Sequence, residues 1–267
     1  MKSHGSGGAR SRGAARASGV GARGRSGRGS LGDMLSGVAV AIGCVLFLGG
    51  FGWAALAYRP YTVPTDSMRP TVNPGDRVLA QRIDTSQVRR GDVVVFDDPL
   101  WGNLPILKRV VGVGGDKVAC CDRQGRLTVD GTPVGEPYLR GGGPASAVAF
   151  DVTVPSGRLF VLGDNRVVSE DSRMRLASAD HGSVPSGDVR ARVDAVLWPP
   201  SRFGTVGRPA SFVALPGGVS RPGPIMVILG SVAAGAVLIT GGAAYGPVAR
   251  RSGRQRERRG GRVRVAA

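Results

Sequence analysis

From Met34 to Ala57 the chain reads MLSGVAVAIGCVLFLGGFGWAALA, 24 consecutive positions without a charged side chain. At about 1.5 Å per residue a helix of that length crosses a hydrocarbon core of about 30 Å, and in lipid only a helix satisfies the backbone of a lone segment. A second uncharged run, Pro222 to Val248, lies between Arg221 and Arg250. It is long enough to span as well, although its glycines make insertion less favourable. The two runs set the expected plan: a tail at 1–33, a span at 34–57, a domain at 58–221, a second span at 222–248 and a tail at 249–267. Two other readings compete. The first run ends in Ala55-Leu56-Ala57, which fits a cleaved signal peptide, although apolar cores of signal peptides are shorter. The second run could be a buried core helix.

Charge sets the expected orientation. The formal +17 divides into +6 over residues 1–33, +4 over 34–222 and +7 over 223–267. Basic flanks before the first span and after the second put both termini in the cytoplasm and 58–221 on the outer face, making a multi-pass protein of the cell membrane. The tails, rich in Gly, Arg and Ser, are expected to be disordered. They contain no Phe or Trp, and the folded part is nearly balanced, which argues against nucleic acid as a partner.

Between the spans, apolar and β-branched runs alternate with turn signals and predict strands at Arg77–Ile83, Asp92–Phe96, Ile106–Val113, Asp116–Cys120, Leu127–Val129, Phe150–Val154, Leu159–Leu162 and Arg190–Leu197. Asp130-Gly131 is a hairpin signal, because a type I′ turn needs positive φ at both central residues. No amphipathic helix interrupts the series. The expected fold class is mainly β: an antiparallel catalytic-type domain flanked by two membrane helices.

Several chemistries are excluded by residue type. The chain has only two histidines, His4 in a tail and His181 in a loop, so no multi-histidine metal site is available and a Ser-His-Asp triad would rest on His181 alone. There is no G-x-S-x-G elbow, P-loop or Rossmann fingerprint, and neither cofactor nor metal is expected. Cys120 and Cys121 are read as a vicinal or intermolecular pair, or as two thiols at a strand end, with no chemistry assigned.

Four polar segments remain. Val63-Pro64-Thr65-Asp66-Ser67-Met68-Arg69-Pro70-Thr71 holds Ser67 between two prolines on a stiff extended turn, with Thr65 on the same side of the chain. Arg90-Gly91-Asp92 leads into a strand and is read as structural, not as an adhesion motif. Lys108 sits in an apolar strand on the face opposite Leu107 and Arg109, where desolvation would favour the neutral amine. Val161 to Arg173 is a dense polar loop whose Asp and Arg residues could pair with one another. Taken singly, Ser67 could be an ordinary turn serine and Lys108 an edge lysine.

In this order, after a membrane helix, these segments resemble the bacterial type I signal peptidases, Ser/Lys-dyad serine proteases. The resemblance covers about Pro60 to Pro199 and rests on Ser-Met-Arg-Pro-Thr at 67–71, Lys-Arg-Val-Val-Gly at 108–112, Gly-Asp-Asn-Arg at 163–166, and Ser169 with Asp171-Ser172-Arg173. It implies Ser67 as nucleophile, Lys108 as general base, Ser169 as the group orienting Lys108, and the Ser67 N–H with the Thr65 hydroxyl as oxyanion donors. Asp164, Arg166, Asp171 and Arg173 would form an ion-pair scaffold. The implied partners are secretory preproteins cut after Ala-x-Ala type sites, membrane lipid and the export machinery. Ala55-Leu56-Ala57 would itself offer such a site. Val167-Val168 departs from the Asp-Asn of many relatives, and a second span resembles some actinobacterial members. A Ser/Lys processing peptidase with narrower substrates, and a non-catalytic β-domain that binds partners at the membrane, remain alternatives.

Overall fold

Short runs rich in Val, Leu and Phe, each closed by turn residues, fold into twelve strands in the computed structural model, which describes residues 28–102, 104–139 and 143–263. They are Tyr58–Thr62 (β1), Arg77–Gln81 (β2), Val93–Phe96 (β3), Ile106–Val113 (β4), Lys117–Cys120 (β5), Leu127–Val129 (β6), Thr132–Val134 (β7), Phe150–Thr153 (β8), Arg158–Leu162 (β9), Val184–Pro185 (β10), Val189–Trp198 (β11) and Gly204–Thr205 (β12). The main sheet runs β1-β2-β11-β3-β4-β9-β10 with β12 on β11, and a smaller sheet runs β7-β6-β5-β8. All pairings are antiparallel. The mainly-β expectation holds, and β4 and β6 have the expected bounds. Asp130 and Gly131 have φ of 51° and 77°, the positive pair that a type I′ hairpin requires.

β1 was not expected. It carries Arg59 and Pro60 and pairs with β2 at the sheet edge, where a proline forfeits no necessary hydrogen bond. β3, by contrast, is buried along its whole length, because the main sheet is covered on both faces. One apolar cluster joins Val94, Phe96, Val110 and Val161, and another joins Val63, Met68, Leu107 and Val193. A third, with Val118, Leu127, Phe150 and Phe160, fills the space beside the smaller sheet.

The apolar runs form helices Arg28–Ala57 (α1) and Ile225–Val263 (α2). Both helices extend into segments expected to be disordered. α1 starts at Arg28, and α2 continues through the Arg-rich stretch to Val263. Once a long helix exists, each further residue adds a hydrogen bond without a new nucleus, and arginine is a good helix former. Residues 1–27 of the expected tail lie outside the described residues. The stretches long and apolar enough to cross a membrane are Gly32–Ala57 and Ile225–Tyr245, of which 11% and 22% is buried. That exposure does not fit the core-helix alternative.

Residues 42–238 form one compact unit, and the described parts of 28–41 and 239–263 form another. Within the first, a Cβ at Gly235 would overlap the backbone of Gly43 and Phe47. Glycines that weaken insertion of α2 thus allow close packing on α1. Within the second, the Ser36 hydroxyl donates to the Gly242 carbonyl at 2.7 Å.

Arg90 and Asp92 are buried, which removes an adhesive reading of Arg90-Gly91-Asp92. Arg90 pairs with Asp116, and Asp92 accepts from Ser220. Cys120 and Cys121 are joined as a vicinal disulfide, and Cys44 is free.

Candidate active site

Ser67 follows closely on β1, but the chain has left the extended conformation expected for it. Arg69 N donates to Asp66 O at 3.1 Å and Val72 N to Met68 O at 3.1 Å, so Ser67 stands in a tight turn. Met68, 1% exposed, plugs this turn into the apolar core. The loop ends are closed by Val63 N to Asp76 O and Gly75 N to Val63 O, each 2.9 Å. Thr65 Oγ1 lies 3.1 Å from Ser67 Oγ. The two side chains expected on one side do meet, through the turn.

Lys108 lies mid-strand in β4 opposite Val94, and is 4% exposed. Strand alternation gives it Ile106 and Val110 as neighbours on its own face. Burial lowers its ammonium pKa from the ordinary 10.5 to about 8, with Asp171 and Glu170 pulling the other way. A charge in an apolar strand is poorly solvated, so the neutral amine becomes accessible near neutral pH. Ser67 and Lys108 both line one cleft of about 760 Å³, together with Val63, Pro64, Leu107, Val168 and Glu170.

The polar loop after β9 closes on this pair. Arg109 faces Leu162 across the β4–β9 ladder, and the next step along that register brings Gly163 level with Lys108. A Cβ at Gly163 would overlap the Ser169 side chain and the Ser67 carbonyl. Ser169 therefore sits over the position that faces the lysine. Its Oγ is buried and has no hydrogen-bond partner. Asn165 ties the loop to the serine turn, its N–H donating to Ser67 O at 2.9 Å and its side-chain amide to Asp66 O at 3.2 Å.

The four scaffold residues are engaged, but not all with one another. Asp171 pairs with Arg173 at 2.8 Å and accepts from Gly163 N at 3.0 Å. Asp164, 0% exposed, instead takes both arms of Arg109 at 2.8 and 2.7 Å, and the Thr71 hydroxyl at 2.5 Å. Burial opposes the charge on Arg109, yet Asp164 outweighs it and holds the guanidinium pKa above its ordinary value. Arg166 reaches to Glu136 at 2.5 and 3.1 Å and to the Ala145 carbonyl at 2.8 Å. The loop is therefore pinned to β4 and to the smaller-sheet region rather than folded wholly on itself. Val167 and Val168 are exposed, and the turn there is held by backbone bonds to Asn165 O at 3.2 and 3.1 Å. His181 is exposed in a separate turn.

Gly163, Asn165, Thr71, Arg109 and Glu136 were not singled out from the sequence. The first four lie inside quoted motifs and could have been. Glu136 follows β7 in an unremarkable loop and carries no such signal.

Residues 34–198 match the family model described as "Signal peptidase, peptidase S26". The "Probable signal peptidase I" of Mycobacterium leprae (strain TN) is 34% identical over 207 residues, 56% of this chain and 71% of that protein. "Signal peptidase I" of Mycobacterium tuberculosis (strain ATCC 25618 / H37Rv) is 34% identical over 202 residues, 55% of this chain and 67% of that protein. "Signal peptidase IB" of Staphylococcus aureus (strain N315) is 33% identical over 184 residues, 62% and 88% of the two chains. With the matched region running from the first apolar helix to the end of β11, the chain belongs to the signal peptidase family, peptidase S26, and is a serine endopeptidase of that family.

Proposed function

We propose that this enzyme removes signal peptides from exported preproteins at Ala-x-Ala type sites, with Ser67 as nucleophile and Lys108 as general base. The observation that carries the reading is that a serine held in a stiff turn and a desolvated lysine with its pKa lowered to about 8 line the same cleft. Ser67 Oγ attacks the scissile carbonyl carbon as its proton passes to the neutral Lys108 Nζ. The carbonyl electron pair moves to oxygen, where the Ser67 N–H and the Thr65 hydroxyl would receive it. Collapse breaks the C–N bond, and the Lys108 ammonium returns the proton to the leaving amine. Water then cleaves the acyl ester by the same route. The unpartnered Ser169 hydroxyl is the group available to orient Lys108. Val63, Pro64 and Leu107 supply apolar walls suited to small side chains.

On this reading α1 and α2 span the cytoplasmic membrane, both termini are cytoplasmic and the sheets stand on the outer face, as the basic flanks favour. Membrane lipid surrounds the helices, and the export machinery delivers the preprotein. Protease added outside spheroplasts should digest residues 58–221 and spare both tails; loss of the tails alone would reverse the orientation.

The catalytic assignment is tested with Ser67→Ala on a detergent-solubilised preprotein and an Ala-x-Ala peptide. Cleavage should fall to background while the circular dichroism spectrum is unchanged. For the unmodified enzyme, kcat/KM should rise roughly tenfold between pH 7 and 9 as Lys108 loses its proton. A flat or falling profile would remove Lys108 as the base.

A further inference from the structure

A second cavity, of about 440 Å³, opens away from the cleft and is lined by Gln81, Arg89, Arg192, Ser220, Arg221 and the Pro222–Pro224 segment, among others. Its walls belong to the ends of the apolar helices. Gln81 pairs across the sheet with Tyr58, the residue after α1, and Pro224 immediately precedes Ile225, the first residue of α2. Tyr58, Ile225 and Ile228 pack together with Ala57, so both helix ends lie at one level beside the cavity. In a bilayer that level is where phosphates begin.

The charge at this level is unbalanced. Four guanidiniums, Arg89, Arg192, Arg208 and Arg221, meet two buried carboxylates, Asp92 and Asp194. Asp194 takes Arg192 at 3.1 Å and Arg208 at 3.0 Å. Asp92 takes Arg208 at 3.4 Å and the Arg89 backbone N–H at 2.9 Å, and exposed Asp84 is turned to its own Ser86 N–H at 2.8 Å. Arg192 is held by Nε on Asp194 and Nη2 on Gln81. Arg89 is held by Nη1 on the carbonyls of Ser86 and Val88, at 2.6 and 2.9 Å, which fixes its guanidinium without a carboxylate. Arg221 is exposed at the rim. Two arginines thus face a polar cavity with no acidic partner for their side chains, at the depth of a headgroup layer.

We propose that this cavity binds the phosphate of an anionic phospholipid headgroup in the leaflet on the catalytic side, through Arg89 and Arg221 with Arg192 at its back. Guanidinium forks match phosphate oxygens, and clustered basic residues at helix ends favour anionic lipid. The assignment rests on the two-span reading, which protease digestion tests separately.

The test is native mass spectrometry of the full chain released from neutral micelles, titrated with phosphatidylglycerol, phosphatidylcholine or inorganic phosphate. One phosphatidylglycerol should be retained in preference to phosphatidylcholine. Retention should fall roughly tenfold in Arg89→Gln/Arg221→Gln, the loss of about one charge-assisted contact. Peptide cleavage in detergent should be unchanged in that variant, because neither residue lines the cleft. Arg126→Gln, on the smaller sheet, should retain lipid normally. Equal retention of phosphatidylcholine, unchanged phosphatidylglycerol in the double variant, or an equal loss in Arg126→Gln would overturn the proposal. So would inorganic phosphate binding as tightly as the lipid, which would mark an ion site instead.

Discussion

Lys108 carries a conflict between stability and chemistry. Displacing its pKa from 10.5 to about 8 corresponds to roughly 3 kcal/mol against the charged form in the folded state. Between those values the unfolded chain binds more protons, so this contribution makes stability rise with pH from about 8 to 10.5 and leaves the full penalty in place below. Lys108→Met should therefore abolish cleavage yet stabilise the protein by about 1–3 kcal/mol at neutral pH. Urea denaturation compared at pH 7 and pH 10 reads this directly; a gain that does not shrink at high pH would refute the burial account. Gly163 makes the opposite case. Nothing about its own chemistry matters, but a methyl there would collide with Ser169 and the Ser67 carbonyl. Gly163→Ala is expected to lower kcat at least a hundredfold, because small misplacement of reacting groups is that expensive. Near-normal kcat would show that the loop yields freely.

At this scale the sequence identified Ser67 and Lys108 through their company rather than their own surroundings. Arg109 was passed over although it adjoins Lys108, since alternation sends it to the other face, toward a carboxylate 55 positions away. Such partners are set by sheet register, which local patterns do not encode.

The elements divide similarly. β4, β6 and the Asp130-Gly131 hairpin follow from local signals, whereas β1, β10 and β12 are short edge pieces whose pairing comes from the partner strand. The loop between β9 and β11 is the element on which the cleft depends, and its anchor is the Asp164–Arg109 pair. Both side chains are buried, at 0% and 1% exposure. Asp164→Ala strands a guanidinium in the interior and should cost about 3–5 kcal/mol, with much of the loss recovered in Asp164→Ala/Arg109→Met. Thermal unfolding of the two variants measures this. A double variant no better than the single would mean that Thr71 or Tyr138 dominates the site.

For the whole molecule, the junction of anchor and enzyme bears on the chain's own integrity. Ala55-Leu56-Ala57 looks cleavable as a string of letters, but all three residues are helical. The Ala57 carbonyl accepts from Arg82 N at 2.8 Å, and the buried Tyr58 hydroxyl donates to Asp194 at 3.1 Å. A protease needs an extended strand, and this bond is locked on both sides. Intact mass after prolonged incubation should show an uncut N-terminus, whereas cleavage between Ala57 and Tyr58 at a rate near that of a good peptide would show that the junction opens.

The same junction has a geometric consequence. α1 passes into β1 with no residue between them, and only Val63 to Asp66 separate β1 from Ser67. With so little slack the nucleophile works at one altitude above the lipid. Substrates anchored in the same sheet of lipid then reach it by lateral diffusion, a search in two dimensions. Each scissile bond is judged by the height at which its own anchor lets it ride, so the protein acts as a gauge of distance as well as a reader of side chains.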